Sequence, residues 1–319
     1  MPTLSLAKPN LEAFAVTLLD LAEKDPDVLV LTSDSRGSAR LGNFGKQRPH
    51  QMIEMGIAEQ NLVGVAAGLA SAGKKVFAVS PACFLTTRAL EQIKNDVAYS
   101  DQPVKLVGIS AGVSYGALGT THHSLHDLAA LQAINNIDIV LPADNFETEA
   151  AVRAALNHPH PLYIRFGKKA MYDLHPAGTE FQIGKAILLR TGSEVTFIAS
   201  GETVHPALMA AELLAEQAIT CSVLSLHTLR PLDDTAILQA VANSQALITV
   251  EEHSVNGGLG SRIAALLMQN GLWRPMRIVG IPDEPTVTGG QEDVFRTYGI
   301  SADGLARTAT QLLQNRVRA

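Results

Sequence analysis

Hydrophobic residues along this chain fall into two rhythms that trade places. Leu11, Phe14, Ala15, Leu18, Leu19 and Ala22 recur at three and four, the spacing of one helical face, and Asp25-Pro26 stops the run. VLVLTSD, from Val28, is continuous and rich in branched side chains, as expected of a strand buried on both faces. The same exchange continues. EMGIAEQNLVGVAAGLASA (residues 54–72) predicts a short lead-in and then a helix that Glu59 starts, KVFAVS from Lys75 a strand, and Phe84 to Tyr99 a helix. VKLVGIS from Val104 predicts a strand that enters a glycine-rich loop. A helix at Leu128–Ile134, the strand IDIVLP, a helix at Asn145–Asn157 and the strand PLYIRF from Pro161 follow. Such alternation predicts a parallel sheet with helices on both faces.

GKKAMYDLHPAGTEFQ, from Gly167 to Gln182, breaks the rhythm and predicts a linker. A second alternation follows, with strands at Lys185–Leu189, Val195–Ser200, Cys221–Leu226, Ala246–Val250 and Met276–Ile281. Helices are expected at Val204–Gln217, Thr235–Ala242, Leu259–Gln269 and Gly304–Leu313. The expected fold class is therefore α/β, with two doubly wound domains at residues 1–170 and 183–319.

Composition narrows the class. With 319 residues, 46% hydrophobic and 18% charged, the chain can bury two cores. No apolar run reaches the roughly 18 residues needed to span a bilayer, and MPTLSLAKPN lacks the basic start of a secretory signal. A net charge of −6 gives no case for nucleic acid or an anionic membrane as partner. Two cysteines, Cys83 and Cys221, form neither a disulfide framework nor a zinc pattern. A reduced cytoplasm is the simplest location.

Candidate chemistry gathers in a few stretches. Glu59 starts a helix of nearly unbroken apolar sequence. It is either a charge placed at the positive end of the helix dipole or a carboxyl walled in by apolar groups and able to move a proton. Gly64 and Gly68 inside that helix cost ~1 kcal/mol each against Ala, which predicts another backbone passing close to them. Ser33, Asp34, Ser35 and Ser38 sit at a strand end, where ligands gather in open parallel sheets, though such residues also build turns. THHSLHD, Thr121 to Asp127, brings His122, His123 and His126 beside Asp127. The four-residue spacing of His122 and His126 suits a zinc-binding helix, but no Glu occupies the HExxH position. Gly257, Gly258 and Gly260 open a helix that could hold an anion or simply pack tightly, the reading favoured here. Glu251, Glu252 and His253 match no standard metal spacing.

GIAEQN (Gly56–Asn61) and THHSLHD resemble transketolase, in particular the C-terminal half encoded as a separate subunit. The chain is also similar to 1-deoxyxylulose-5-phosphate synthase, and the likeness runs from about Leu11 to about Thr310. TLRPLD from Thr228 and EEHSVNGGLGSRIAALL from Glu251 resemble the transketolase C-terminal domain. The resemblance implies a pyrimidine-binding domain followed by that C-terminal domain, with thiamine diphosphate as cofactor. It makes Glu59 the carboxyl that bonds the cofactor's pyrimidine ring, and His122 a catalytic and substrate-pocket residue. Phe84 and Arg88 become cofactor-binding residues, and Ser38 and Arg165 substrate-binding ones that reach a sugar phosphate.

Three departures from the family pattern stand out. Pro81 takes a place where relatives carry an aromatic ring. His123 and His126 differ from the usual residues. Ala117 and Leu118 replace the acidic pair of a GEDG segment whose Asp bonds a sugar hydroxyl, which predicts an altered sugar. A segment that would hold a divalent cation (Mg or Ca) and the cofactor diphosphate is not in this sequence. The resemblance therefore implies a partner, the N-terminal transketolase subunit, assembled with this chain into a heterotetramer. Metal ligands in this chain are expected to be none. The implied reaction moves a two-carbon ketol unit from a ketose phosphate to an aldose. Alternatives are the beta subunit of a 2-oxo acid dehydrogenase first component, or a non-catalytic binding subunit.

Overall fold

This computed structural model describes residues 4–317 of the chain. The domain limits expected at residues 1 and 319 lie outside the described residues. Strands run in chain order as β1 (Leu6–Pro9), β2 (Val28–Thr32), β3 (Met52–Glu54), β4 (Lys75–Pro81), β5 (Lys105–Ile109), β6 (Asp138–Val140) and β7 (Leu162–Arg165). They continue as β8 (Ala170–Tyr172), β9 (Ile187–Arg190), β10 (Val195–Ala199), β11 (Cys221–Ser225), β12 (Thr228–Arg230), β13 (Ala246–Ser254) and β14 (Met276–Ile281). Among the described residues the first sheet has the order β12-β6-β7-β5-β4-β2-β3 and the second β14-β13-β10-β11-β9. Pairing is parallel throughout both, except at the edges, where β12 and β9 run antiparallel. Full burial of β5 and β7, residue after residue, is why these segments read as unbroken apolar runs.

Two expectations need correction, and one strand was not foreseen. The stretch 167–182 is no plain linker, because β8 pairs antiparallel with β1 and ties the end of the first unit to its start. Thr228–Arg230 belongs to the second half of the sequence, yet it pairs with β6 and extends the first sheet. Arg230 fixes that strand by donating to the carbonyls of Gln132 and Ile134. The 84–99 helix is broken, into Ala82–Arg88, Leu90–Gln92 and a π-helical turn at Ile93–Tyr99.

The two sheets share their packing. One apolar cluster joins Leu62, Val63 and Leu106 of the first sheet's layers to Leu224, Ile237, Leu247 and Ile263 of the second. Separate clusters fill the outer face of each sheet, around Phe14 and Phe77 and around Phe197 and Leu214. No helix among the described residues is long and apolar enough to cross a membrane.

Candidate active site

Glu59 begins the helix Glu59–Ser71 immediately after the turn at Gly56, whose φ of 71° suits glycine. Its side chain is 4% exposed, so an ionised carboxyl there needs a partner. Arg88 supplies it: one guanidinium nitrogen donates to both carboxylate oxygens, at 3.0 and 3.1 Å. Arg88 comes from the end of the helix Ala82–Arg88, which Pro81 starts with its fixed φ. The same guanidinium lies 4.2 Å above the ring of Phe84, one turn earlier. Ile57, Ala58, Glu59, Gln60, Asn61 and Arg88 line an open groove.

From Phe84 a row of rings runs away from the carboxylate. Phe84 meets His122 edge-on at 5.4 Å, and His122 meets Tyr115 at 5.2 Å in the same manner. The Lys168 ammonium caps Tyr115 at 4.2 Å. Thr121 Oγ1 holds His122 Nδ1 at 2.9 Å and leaves Nε2 for a ligand. Lys168 in turn shares a pocket with Ser38, Arg40, Gly37, Pro9 and Leu11. Burial and the nearby Arg40 charge both hold the Lys168 ammonium below its ordinary pKa. Two cations beside a serine hydroxyl form a receptor for an anion.

The remaining histidines have separate roles. His123 is buried and bonds the Gly116 carbonyl through Nε2 at 3.0 Å, pinning the loop that carries Tyr115 and Leu118. His126 Nε2 donates to Thr87 Oγ1 at 2.6 Å, while Thr87 donates to the Cys83 carbonyl. Leu118 is 56% exposed on its loop.

Five of the six residues marked in the sequence, Ser38, Glu59, Phe84, Arg88 and His122, line this one wall. Arg165 does not. It is buried at the end of β7, paired with Asp127 at 3.1 Å and donating to the Glu252 carbonyl at 3.0 Å. Tyr163 donates to the other Asp127 oxygen. With its charge and donors committed inside the fold, Arg165 is an internal strut, and Lys168, three residues on, carries the outward charge. Sequence reading missed Lys168 and Tyr115. A cation at the mouth of a strand end was the available signal for the first, and nothing in the sequence marked the second.

The glycines at 257, 258 and 260 serve packing, as favoured above. Glu251 accepts from the amides of Leu259 and Gly260 and fills the helix start that an external anion would need. Ser33 and Ser35 are also internal, bonded to Ser80 and the Val79 carbonyl.

Residues 9–172 match the transketolase pyrimidine-binding domain and residues 184–305 the transketolase C-terminal domain. The chain is 45% identical to a subunit of apulose-4-phosphate transketolase from Phocaeicola vulgatus, over 95% of this chain and 97% of that one. It is 35% identical to a subunit of 6-deoxy-6-sulfo-D-fructose transketolase from a Clostridium species, over 96% and 94%. A solved split-gene transketolase, described as an inactive beta4 tetramer, superposes with a TM-score of 0.88 at 32% identity, covering 97% of this chain and 99% of that one. Transketolase of Pichia stipitis shares the fold, with a TM-score of 0.82 at 19% identity, and this chain spans 46% of it. With both of its domains matched and a carboxylate, an aromatic wall and a cationic pocket along one face, the chain belongs to the transketolase family of thiamine-diphosphate-dependent enzymes, among the subunits that carry its pyrimidine-binding and C-terminal domains.

Proposed function

We propose that this chain forms the pyrimidine side of a two-subunit transketolase, and that its ketose donor is apulose 4-phosphate. The observation that carries the two-subunit reading is the groove at Glu59, which is open on one side and, among the described residues, is lined by a buried carboxylate with Arg88 as its one cation. A partner bearing the diphosphate and a divalent cation would close it, and association into a heterotetramer in the cytoplasm follows the same reading.

The chain's residues fit the cofactor. Glu59 offers a carboxylate to a ring nitrogen, and the Phe84 face is free for offset stacking once the flexible, half-exposed Arg88 side chain swings off it. Thiamine diphosphate, when bound, supplies the carbon centre at which the ketol unit is held. Glu59, which Arg88 pairs before the ring enters, would hold the proton exchanged with the pyrimidine ring. As the bond next to the ketose carbonyl breaks, the hydroxyl on the departing carbon must lose its proton. His122 Nε2 would take it, with the ring aligned by Thr121, Phe84 and Tyr115. Ser38, Arg40 and Lys168 would hold the phosphate, which carries about −1.5 to −2 charges at neutral pH.

The sugar assignment rests on the 45% relative and on Leu118. Apulose is branched at the carbon beside its carbonyl, so it places substituents differently from a linear ketose. An apolar Leu118, where the family pattern has an Asp, makes no bond to a hydroxyl and leaves one there unpaired, at ~1–3 kcal/mol. In a complex with the partner subunit, thiamine diphosphate and Mg, apulose 4-phosphate should be cleaved at least tenfold more efficiently than xylulose 5-phosphate. Leu118→Asp should narrow that gap. A wild-type preference for xylulose 5-phosphate would overturn the sugar assignment, and robust turnover by this chain alone would overturn the two-subunit reading.

A further inference from the structure

Behind the ring-lined wall lies a second group of ionisable side chains that the reaction does not use. Glu252, near the end of β13, accepts from the Val113 amide at 2.9 Å across the boundary between the sheets. Gln291 Nε2 donates to Glu252 Oε1 and to Glu202 Oε2, both at 2.7 Å. A Cβ on Gly112 would land on the Glu252 carboxyl, and one on Gly167 would land on that of Glu202. Both carboxyls therefore press directly on first-domain backbone. Gly112–Val113 opens the loop to Tyr115 and His122, and Gly167 precedes Lys168.

We propose that Glu252 and Glu202, bridged by Gln291, are positioning residues for the substrate side of the site, and that they hold these two backbones while a single proton is shared between them. The inference rests on the proposed function above and extends it to the second domain. Hydrogen-bond accounting supports the proton. Gln291 Oε1 is a buried acceptor without a donor, and a buried acceptor left unpaired is costly. A proton on either carboxyl supplies the donor the group lacks. The charges facing the pair are Arg165 from β7, Lys169 beyond it and the adjacent Glu251, with His253 neutral because burial pushes it down to about 4. Arg165 is already matched by Asp127. Burial, and then the Glu202 charge, push the Glu252 carboxyl up to about 8.

A carboxyl whose pKa is raised in the closed arrangement favours that arrangement fully below its ordinary pKa. The preference falls about tenfold per pH unit and is lost as pH passes about 8. The assembled complex should show this in the KM for its ketose phosphate, measured from pH 7.5 to 9.5, above the phosphate's own titration near 6. Wild-type KM should rise about fourfold across that range, while proton exchange at the cofactor's thiazolium carbon, which depends on the Glu59 end, stays level. Glu252→Gln is neutral at every pH and still accepts from Val113, so its KM should stay flat within about twofold. Gly167→Ala should raise KM at pH 7.5 and spare the exchange rate. A flat wild-type KM, or a Glu252→Gln profile that still rises (as titration of Lys168 would give), overturns the proposal. So does a Gly167→Ala variant with KM unchanged. A wild-type complex that exchanges no proton at all overturns the underlying reading together with it.

Discussion

Two cations three residues apart show what a sequence conveys about a single position. Arg165 lies at the end of the strand PLYIRF and Lys168 just after it, and the residue type alone points to Arg165 as the phosphate ligand. The structure commits Arg165 to Asp127 and leaves Lys168 exposed beside Arg40 and Ser38. Which cation faces outward depends on the pleat at the strand end and on a carboxylate 38 residues away, and neither is encoded locally. Opposite phenotypes follow. Arg165→Gln leaves Asp127 buried with one partner fewer and should lower unfolding stability by ~3–5 kcal/mol, read by denaturant titration. Lys168→Ala should leave stability within about 0.5 kcal/mol and raise the KM for the sugar phosphate about tenfold or more. The burial of Glu59 was legible because a charge amid apolar neighbours has few readings. Tyr115 was not, because its position beside His122 is created by the loop's fold.

At the scale of elements, the helix Glu59–Ser71 matches its prediction in place and extent, but the reason offered for its glycines does not hold within this chain. Gly68 has no atom within 4 Å of an added Cβ, and Gly64 has only an Asp96 oxygen at 3.7 Å. Among the described residues no backbone presses on that face, which continues from the groove residue Asn61. Under the two-subunit proposal, the partner covers it. Gly68→Ala should then stabilise the isolated chain by up to ~1 kcal/mol, raising its melting temperature. Gly68→Leu should fold equally well yet weaken assembly, as sedimentation of the mixed subunits would show. Equal assembly by the Leu variant would remove this face from the interface. Strand β12 was illegible for a different reason. Its three residues carry ordinary strand character, and only tertiary packing decides which sheet receives them.

Across the whole molecule, the segment read as a linker is fastened by charge. The buried His175 side chain bonds Asp144 Oδ2 at 2.7 Å and lies 3.1 Å from Glu147, which also accepts from Ser225 of β11. Burial opposes the imidazolium, but the Asp144 hydrogen bond and then Glu147 outweigh it and push His175 up to about 9. A raised pKa gives stability that is fully present below the unfolded value near 6.5 and lost as pH rises through about 9. The amount is on the order of 3 kcal/mol. Denaturation midpoints should therefore fall between pH 7 and 9.5, and His175→Gln should flatten that slope while lowering stability at pH 7. The plan of two doubly wound α/β units was readable from alternating runs. This staple was not, since its four members lie up to 81 residues apart in a chain whose fold must be known before they meet.

Under the two-subunit proposal, Glu59 is the carboxyl that this chain brings to a thiamine site completed by its partner, and every other role assigned along the wall depends on it. Proton exchange at the cofactor's thiazolium carbon, followed by NMR in deuterated buffer, reads that role without reference to any sugar. The complex with the partner subunit should accelerate exchange strongly. The same complex carrying Glu59→Gln, nearly isosteric but unable to pass the proton, should exchange ~10² to 10⁴-fold more slowly. An unchanged exchange rate in a correctly assembled Glu59→Gln complex would contradict the proposal.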